Sequence, residues 1–316
     1  VGKREPIELG NGIHLIDGFD MGEPGRTGSY VIEAEQLTIV ETSASPSVPY
    51  ILAGLEQLGH RPEDVRYIIV THIHLDHSGG AGLLLQHCPH AQVVVHPKGA
   101  RHLIDPERLI ASAKMVYGNT FNQFFDPIVP VPQDRIIVKA DEETLAIGPG
   151  RTLTFLDTPG HANHHFSIYD PFSKGIFTGD TLGVYYHQLR DLGLSFYLPS
   201  TSPNQFNPEA MAVAIERVKA LQVERIYFGH FGMSEEPEEV YRQLYAWLPR
   251  FIDAAQTVAE EGGDYTVLSA RMTEQITEAL DAQGVARDHA VYSILPVDMD
   301  VCAMGLLDYI QRRAKA

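Results

Sequence analysis

The sequence predicts an α/β layered architecture with a helical insertion and an all-α C-terminal extension, and three observations carry that expectation. Strand-like and helix-like periodicities alternate from residue 13 to residue 96, the pattern turns helical between residues 97 and 132, and after Glu235 only helical periodicity remains. A chain of 316 residues sits at the upper edge of what one hydrophobic core organises. We therefore expect a main domain over residues 1–233, with its insertion at about 97–132, and a helical extension over 234–316.

The elements follow in order. Short β-like runs at 13–18, 29–34 and 37–42, separated by Gly-rich or acidic turns, form a meander that leads into a helix over 48–58 closed by Gly59. A strand at 67–70, a polar loop, a helix at 81–87 and a strand at 92–96 continue the alternation. The insertion reads as helices at 98–104 and 106–125, with aromatics at Tyr117, Phe121, Phe124 and Phe125. Strands resume at 144–147, 152–156, 166–169 and 175–178; Asn207-Pro208 then opens a helix with cap and first-turn proline in place, and 224–228 is the last clear strand. The tail reads as helices at 237–260, 269–283 and 297–313. There is no solenoid-period repeat and no low-complexity tract.

Composition narrows the function. Hydrophobic residues are 44% and charged residues 21%, an ordinary globular balance. Acidic residues outnumber basic ones by 41 to 24, and the net charge of −17 repels phosphate backbones and anionic membrane surfaces. Neither nucleic acid nor membrane is expected as a partner; a small-molecule substrate is, and a homodimer stays open. Two distant cysteines, Cys88 and Cys302, cannot make a disulfide framework, and no apolar run reaches the ~18 residues of a membrane span, so a cytoplasmic location is the expectation. Residue 1 is Val rather than Met, which leaves a removed leader open.

The chemistry is concentrated in His72-Ile73-His74-Leu75-Asp76-His77, between a strand and Ser78-Gly79-Gly80. Four metal-ligating side chains occupy six positions. In an extended segment His72, His74 and Asp76 point one way and His77 another, so one loop can supply two neighbouring ions. Further donors stand at strand ends or loops: His161 after Asp157-Thr158-Pro159-Gly160, Asp180 after Gly175-Ile176-Phe177-Thr178-Gly179, and His230 after Ile226-Tyr227-Phe228-Gly229. His14, His60, His87, His90, His96, His102 and His289 read as surface or turn residues, while His164 and His165 suit either a supporting role behind the donors or the start of a strand.

This set, in this order and in these contexts, closely resembles the metallo-β-lactamase-fold superfamily over about residues 10–232, with all seven ligand positions matched. The resemblance implies an αββα four-layer sandwich with metals at one edge. It implies that His72, His74 and His161 hold a first ion, that Asp76, His77 and His230 hold a second, and that Asp180 bridges them, with Asp76 and Asp180 in catalytic roles. The implied cofactors are two Zn2+, with Fe or Mn as substitutes, because imidazole and carboxylate donors suit all three. One position departs: where the family places an aspartate after the third strand, this chain has Glu41.

Within the superfamily, Asp180 in the bridging position argues against a true β-lactamase, and the absence of a Lys/Arg-rich strip beyond Arg312-Arg313-Ala314-Lys315 argues against a nuclease. What remains resembles the glyoxalase II and lactonase side: a metallo-hydrolase whose dinuclear-metal-bound hydroxide attacks a small ester, thioester or lactone. The alternatives are a di-iron oxidoreductase-type member, although such relatives usually put a carboxylate where His74 stands, and a metal-retaining ligand-binding or signalling member with weak turnover. Tyr185, Tyr186 and His187 follow Asp180 closely and are candidates for polarising a substrate carbonyl or for packing the loop. Phe196, Tyr197 and Phe206, with Phe121, Phe124 and Phe125, could line an apolar pocket or a subunit contact.

Overall fold

The computed structural model describes residues 4–315. The chain divides into two compact units. The first comprises the residues up to Thr158 together with His164–Gly179 and Ala220–Pro237; the second comprises Pro159–Asn163, Asp180–Lys219 and Glu238 onward.

The first unit is built on two sheets. Ile7–Glu8 (β1), Ile13–Asp17 (β2), Gly28–Ile32 (β3), Leu37–Val40 (β4), Val65–Ile69 (β5), Gln92–Val95 (β6) and Ile136–Val138 (β7) line up in sequence order. The pairs from β1 to β4 are antiparallel and those from β4 to β7 parallel. Parallel neighbours need crossovers, and Val48–Gln57 (α1), the single turn Leu75–Ser78 (α2) with Ala81–His87 (α3), and Pro97–Ile104 (α4), Glu107–Tyr117 (α5) and Phe121–Phe125 (α6) provide them. The second sheet begins with Thr144–Gly148 (β8), Arg151–Asp157 (β9), Phe166–Asp170 (β10) and Gly175–Gly179 (β11). In the second unit Val184–Tyr185 (β12) and Tyr197–Leu198 (β13) pair by themselves. Back in the first unit, Arg225–Phe228 (β14) lies parallel to β11, and Met233–Ser234 (β15) closes the order β15-β14-β11-β10-β9-β8.

Strand alternation decides which side chains face which layer. Tyr30 and Ile32 of β3, Ile69 of β5 and Val94 of β6 join Phe155, Phe166, Ile168, Phe177 and Tyr227 of the second sheet in one core. Their neighbours Val31, Ile68, Val93 and Val95 pack on the other face with Val48, Ile51 and Leu55 of α1 and Leu84 and Leu85 of α3. Buried Tyr30 ties the two sheets together by donating its hydroxyl to the carbonyls of Phe228 (2.6 Å) and Gly232 (2.7 Å).

The second unit is largely helical: Pro208–Ala220 (α7), Pro237–Glu260 (α8), Tyr265–Asp281 (α9) and Val291–Lys315 (α10). Along α8, Val240, Leu244, Trp247, Leu248, Phe251, Ala255 and Val258 form a buried stripe at helical spacing. α9 presents Leu268, Met272, Ile276 and Leu280 in the same way and packs on α10. No helix among the described residues is long and apolar enough to cross a membrane.

Several boundaries differ from the sequence reading for identifiable reasons. The expected helix at 106–125 breaks at Gly118, whose φ of +52° ends α5 before a 3-10 turn and α6. α9 starts at Tyr265, four residues earlier than expected, because the Asp264 side chain accepts from the backbone N–H groups of Thr266 and Val267. α10 starts at Val291 and runs through Pro296, which in sequence reads as the residue before a helix rather than one inside it. The strands β1, β7, β12 and β13 are two or three residues long and carry too little alternation to be read.

Candidate metal centre

The parallel strands deliver the candidate donors at their C-terminal ends. Glu41 directly follows β4, the segment beginning at Thr71 follows β5, and His230 lies two residues past β14. Only the first part of the histidine-rich segment is extended, with His74 at ψ 145°; Leu75–Ser78 turns into a helix, so Asp76 and His77 leave one helical turn rather than a strand.

In the first unit, Asp76, His77 and His230 each offer one donor atom, all within 4.8 Å of one another. Asp76 Oδ2 lies 3.6 Å from Nε2 of His77 and 3.6 Å from Nε2 of His230. His72 Nε2 and His74 Nδ1 converge at 3.1 Å, and the His72 ring lies with its centroid 4.2 Å from that of His77. Imidazole nitrogens and a carboxylate gathered this closely, with His72 and His77 essentially buried, are a donor set that fits divalent transition metals.

Each ring is set from behind. Glu41, buried and held in the left-handed region at φ +67°, accepts the Thr71 backbone N–H at Oε1 (2.9 Å) and the His77 Nδ1–H at Oε2 (3.0 Å). A carboxylate accepts only, so a proton sits on His77 Nδ1, and it is Nε2 that faces Asp76 and His230. Thr71 Oγ1 lies 3.0 Å from His72 Nδ1, which likewise turns Nε2 of that ring toward His74. His164 Nδ1 accepts from the Ile73 backbone at 3.5 Å, and His165 contacts Thr158 Oγ1 at 3.0 Å while stacking on His72 at 5.0 Å.

Two glycines let the backbone close on these rings. A Cβ at Gly229 would stand 2.6 Å from His77 Cε1, and one at Gly179 would stand 2.3 Å from Thr71 Oγ1 and 2.6 Å from His165 Nε2.

The second unit carries the other two candidate donors. His161 Nε2 lies 3.4 Å from Asp180 Oδ2. The His161 Nδ1–H donates to the Ser200 carbonyl (3.1 Å), and the Ser200 hydroxyl donates to Asp180 Oδ2 (3.0 Å). Nearby in sequence, the buried Tyr186 donates its hydroxyl to Asp298 of α10 (3.0 Å), Tyr185 stacks on Tyr197 across the β12–β13 pair, and His187 Nε2 lies 3.1 Å from the Gln188 side-chain amide.

The aromatic segments pack inside their own units. Phe121 and Phe125 are buried with Ala44 and Leu75, the latter within the histidine-rich segment. Phe196 meets Trp247 and Phe206 meets Tyr309. His96, read as a surface residue, is buried: its Nδ1 accepts the Lys98 N–H to cap α4, and its Nε2 meets Asp157 at 3.1 Å.

Ser200 and Thr71 escaped the sequence reading because small hydroxyl residues in loops carry no distinguishing pattern. So did Asp20, which lies in a Gly-rich loop, 1% exposed, with Oδ2 3.4 Å from Arg26 Nε. Burial pushes its carboxyl up to about 6; Arg26 opposes that shift, and the charges of Asp76, His77 and His230 act on it more weakly.

The family model of the metallo-β-lactamase superfamily matches residues 22–230. The chain belongs to the metallo-β-lactamase superfamily. As a member, it is 28% identical over 227 residues to a metallo-β-lactamase fold-containing protein of Sulfurisphaera tokodaii, a match covering 70% of this chain and 79% of that one. It is 29% identical over 159 residues to a diflavin flavoprotein of Synechocystis, covering 50% of this chain but 24% of that much longer protein. Among solved structures, a metallo-β-lactamase family protein of Thermus thermophilus superposes with a TM-score of 0.68 at 19% identity, over 97% of this chain and 95% of its own. The rubredoxin oxygen:oxidoreductase of Desulfovibrio gigas superposes with a TM-score of 0.53 at 16% identity, over 76% of this chain and 60% of its own. These likenesses establish a metallo-β-lactamase fold of the α/β class with a helical C-terminal region.

Proposed function

We propose that this superfamily member is a metal-dependent hydrolase of a small ester, thioester or lactone, with His72, His74, Asp76, His77, His161, Asp180 and His230 as the ligand set. The observation that carries the reading is the convergence of Asp76, His77 and His230 donor atoms within 4.8 Å, with the His77 ring fixed by Glu41. Two ions held by such donors would lower the pKa of bound water toward ~7 and steady negative charge developing on a substrate oxygen.

The chain's own residues supply the preparation for that chemistry. Glu41 keeps a proton at His77 Nδ1 and the Ser200 carbonyl keeps one at His161 Nδ1, so both rings offer Nε2 as a donor. Glu41 also joins the histidine-rich segment to the end of β4 through the Thr71 N–H, which limits the drift of His72. Zinc is the proposed occupant, with iron or manganese as substitutes.

The likeness to the diflavin flavoprotein and to the oxygen:oxidoreductase favours a second reading, a di-iron oxidoreductase-type member. The all-imidazole pair His72 and His74, a donor set well suited to zinc, supports the hydrolase.

A panel of activated thioesters, lactones, esters and phosphodiesters, assayed with zinc-loaded and with iron-loaded protein, tests the choice. Turnover of a carboxylic ester, thioester or lactone that requires zinc is expected. Turnover of none of them, together with oxygen consumption by the iron-loaded protein, would replace the hydrolase with the oxidoreductase.

A further inference from the structure

Pro199-Ser200-Thr201-Ser202, between β13 and α7 of the second unit, is a segment to which neither composition nor motif assigns a task. Its second residue, Ser200, acts on two candidate ligands at once. The Ser200 carbonyl takes the Nδ1–H of His161 at 3.1 Å, and the Ser200 hydroxyl donates to Asp180 Oδ2 at 3.0 Å. A carbonyl can only accept, so the first contact selects the tautomer in which His161 Nε2 keeps its lone pair. The second contact occupies one oxygen of Asp180 and fixes the rotation of its carboxylate.

A loop can do this only if it is itself immobile, and α10 supplies the anchor. The Thr201 backbone N–H reaches Cys302 Sγ at 3.5 Å, the Thr201 hydroxyl donates to the Cys302 carbonyl at 3.0 Å, and the Cys302 S–H points to the Pro199 carbonyl at 3.8 Å. Burial pushes the Cys302 thiol up to about 12, so it keeps the proton that this last contact needs. Three residues on, Gly305 leaves no room for a side chain: a Cβ there would lie 1.8 Å from the Thr201 carbonyl oxygen. The segment therefore rests directly on the helix backbone.

We propose that Ser200 is a positioning residue for both His161 and Asp180, and that α10 is the fixed support that holds Ser200 in register. This rests on the metallohydrolase reading for what the two ligands do; the hydrogen bonds themselves are made by the chain's own residues. The C-terminal helix thereby acquires a role in metal affinity without contributing a ligand.

The test compares Ser200→Ala, which keeps the carbonyl and loses the hydroxyl, with Ser200→Thr, which keeps both, and Cys302→Ala, which loosens the support. Zinc affinity is read by competition with a chromophoric chelator, and the His161 tautomer by nitrogen-15 NMR on metal-free protein. Ser200→Ala should bind one of the zinc equivalents ~10–100-fold more weakly with unchanged far-UV circular dichroism, and Ser200→Thr should restore affinity to within ~3-fold of wild type. His161 should carry its proton on Nδ1 in wild type and in Ser200→Ala, and should become a mixture of tautomers in Cys302→Ala. Wild-type affinity in Ser200→Ala, or an unprotonated Nδ1 of His161 in the wild-type protein, would overturn the proposal. Wild-type protein that takes up no zinc would overturn the metallohydrolase reading instead, and the positioning role would then be decided by the metal-free tautomer alone.

Discussion

Glu41 holds His77 through a 3.0 Å hydrogen bond from the ring Nδ1 to Oε2, while its other oxygen takes the Thr71 N–H at 2.9 Å. One carboxylate thus fixes both ends of the histidine-rich segment from the C-terminal end of β4. The Glu41 backbone itself lies in the left-handed region, at φ +67°.

Glu41→Gln should be more damaging than its size suggests. The amide can still accept from Thr71, but it would present an N–H toward His77 Nδ1 and drive that proton to Nε2, where a donor lone pair is required. The expected result is a ~10–100-fold loss of metal affinity at the Asp76, His77 and His230 group, with the fold intact by circular dichroism. Unchanged affinity by chelator competition would mean that the Glu41 contact does not set the tautomer.

Gly229→Ala tests how closely the β14 end approaches the same ring. The added methyl would lie 2.6 Å from His77 Cε1 and 2.9 Å from Nδ1, so either the ring or the strand end must move. We expect a destabilisation of about 1–3 kcal/mol in the metal-free protein, by denaturant melts, together with lower metal occupancy. A variant as stable as the wild type and fully metallated would show that the strand end yields freely.

The α/β class, the helical tail and the residues of the histidine-rich segment were legible because each rests on periodicity or on residue types rare enough to stand out. Side-chain direction was less so: the extended reading of 72–77 fails at Leu75, where the chain turns helical, because a four-residue helix has no periodicity to display. The supports were not legible at all. Ser200 and Thr71 act through one hydroxyl, one carbonyl and one N–H, groups that nearly every loop contains, and only the fold brings them to a ring nitrogen. Tyr186, read from its place in sequence, turns out to spend its hydroxyl on Asp298, a residue 112 positions away.

The buried Asp20 carboxyl predicts a pH signature in the metal-free protein. Its value in the folded chain is about 6, against an ordinary 3.8, so between those values the folded state binds more protons than the unfolded one. The stability associated with that proton is full below about pH 3.8 and is lost as pH rises through 6. It amounts to roughly 3 kcal/mol across the window. Urea melts at several pH values should show this fall in wild type and its absence in Asp20→Asn. The same slope in both proteins would assign the effect to other groups.

The central claim, that seven side chains hold a pair of catalytic metal ions, is tested most directly by metal stoichiometry in wild type and in Asp180→Asn. Protein purified without added metal and then titrated with zinc should hold about two equivalents per chain. Under the proposed bridging role, Asp180→Asn would remove one negative charge from between two dications ~3.5–4 Å apart, so the variant should keep one ion, release the other and lose hydrolytic rate in step. Wild-type protein that retains less than half an equivalent and takes up none on titration would contradict the metal centre itself. Two tightly bound ions with undiminished turnover in Asp180→Asn would contradict the bridging role.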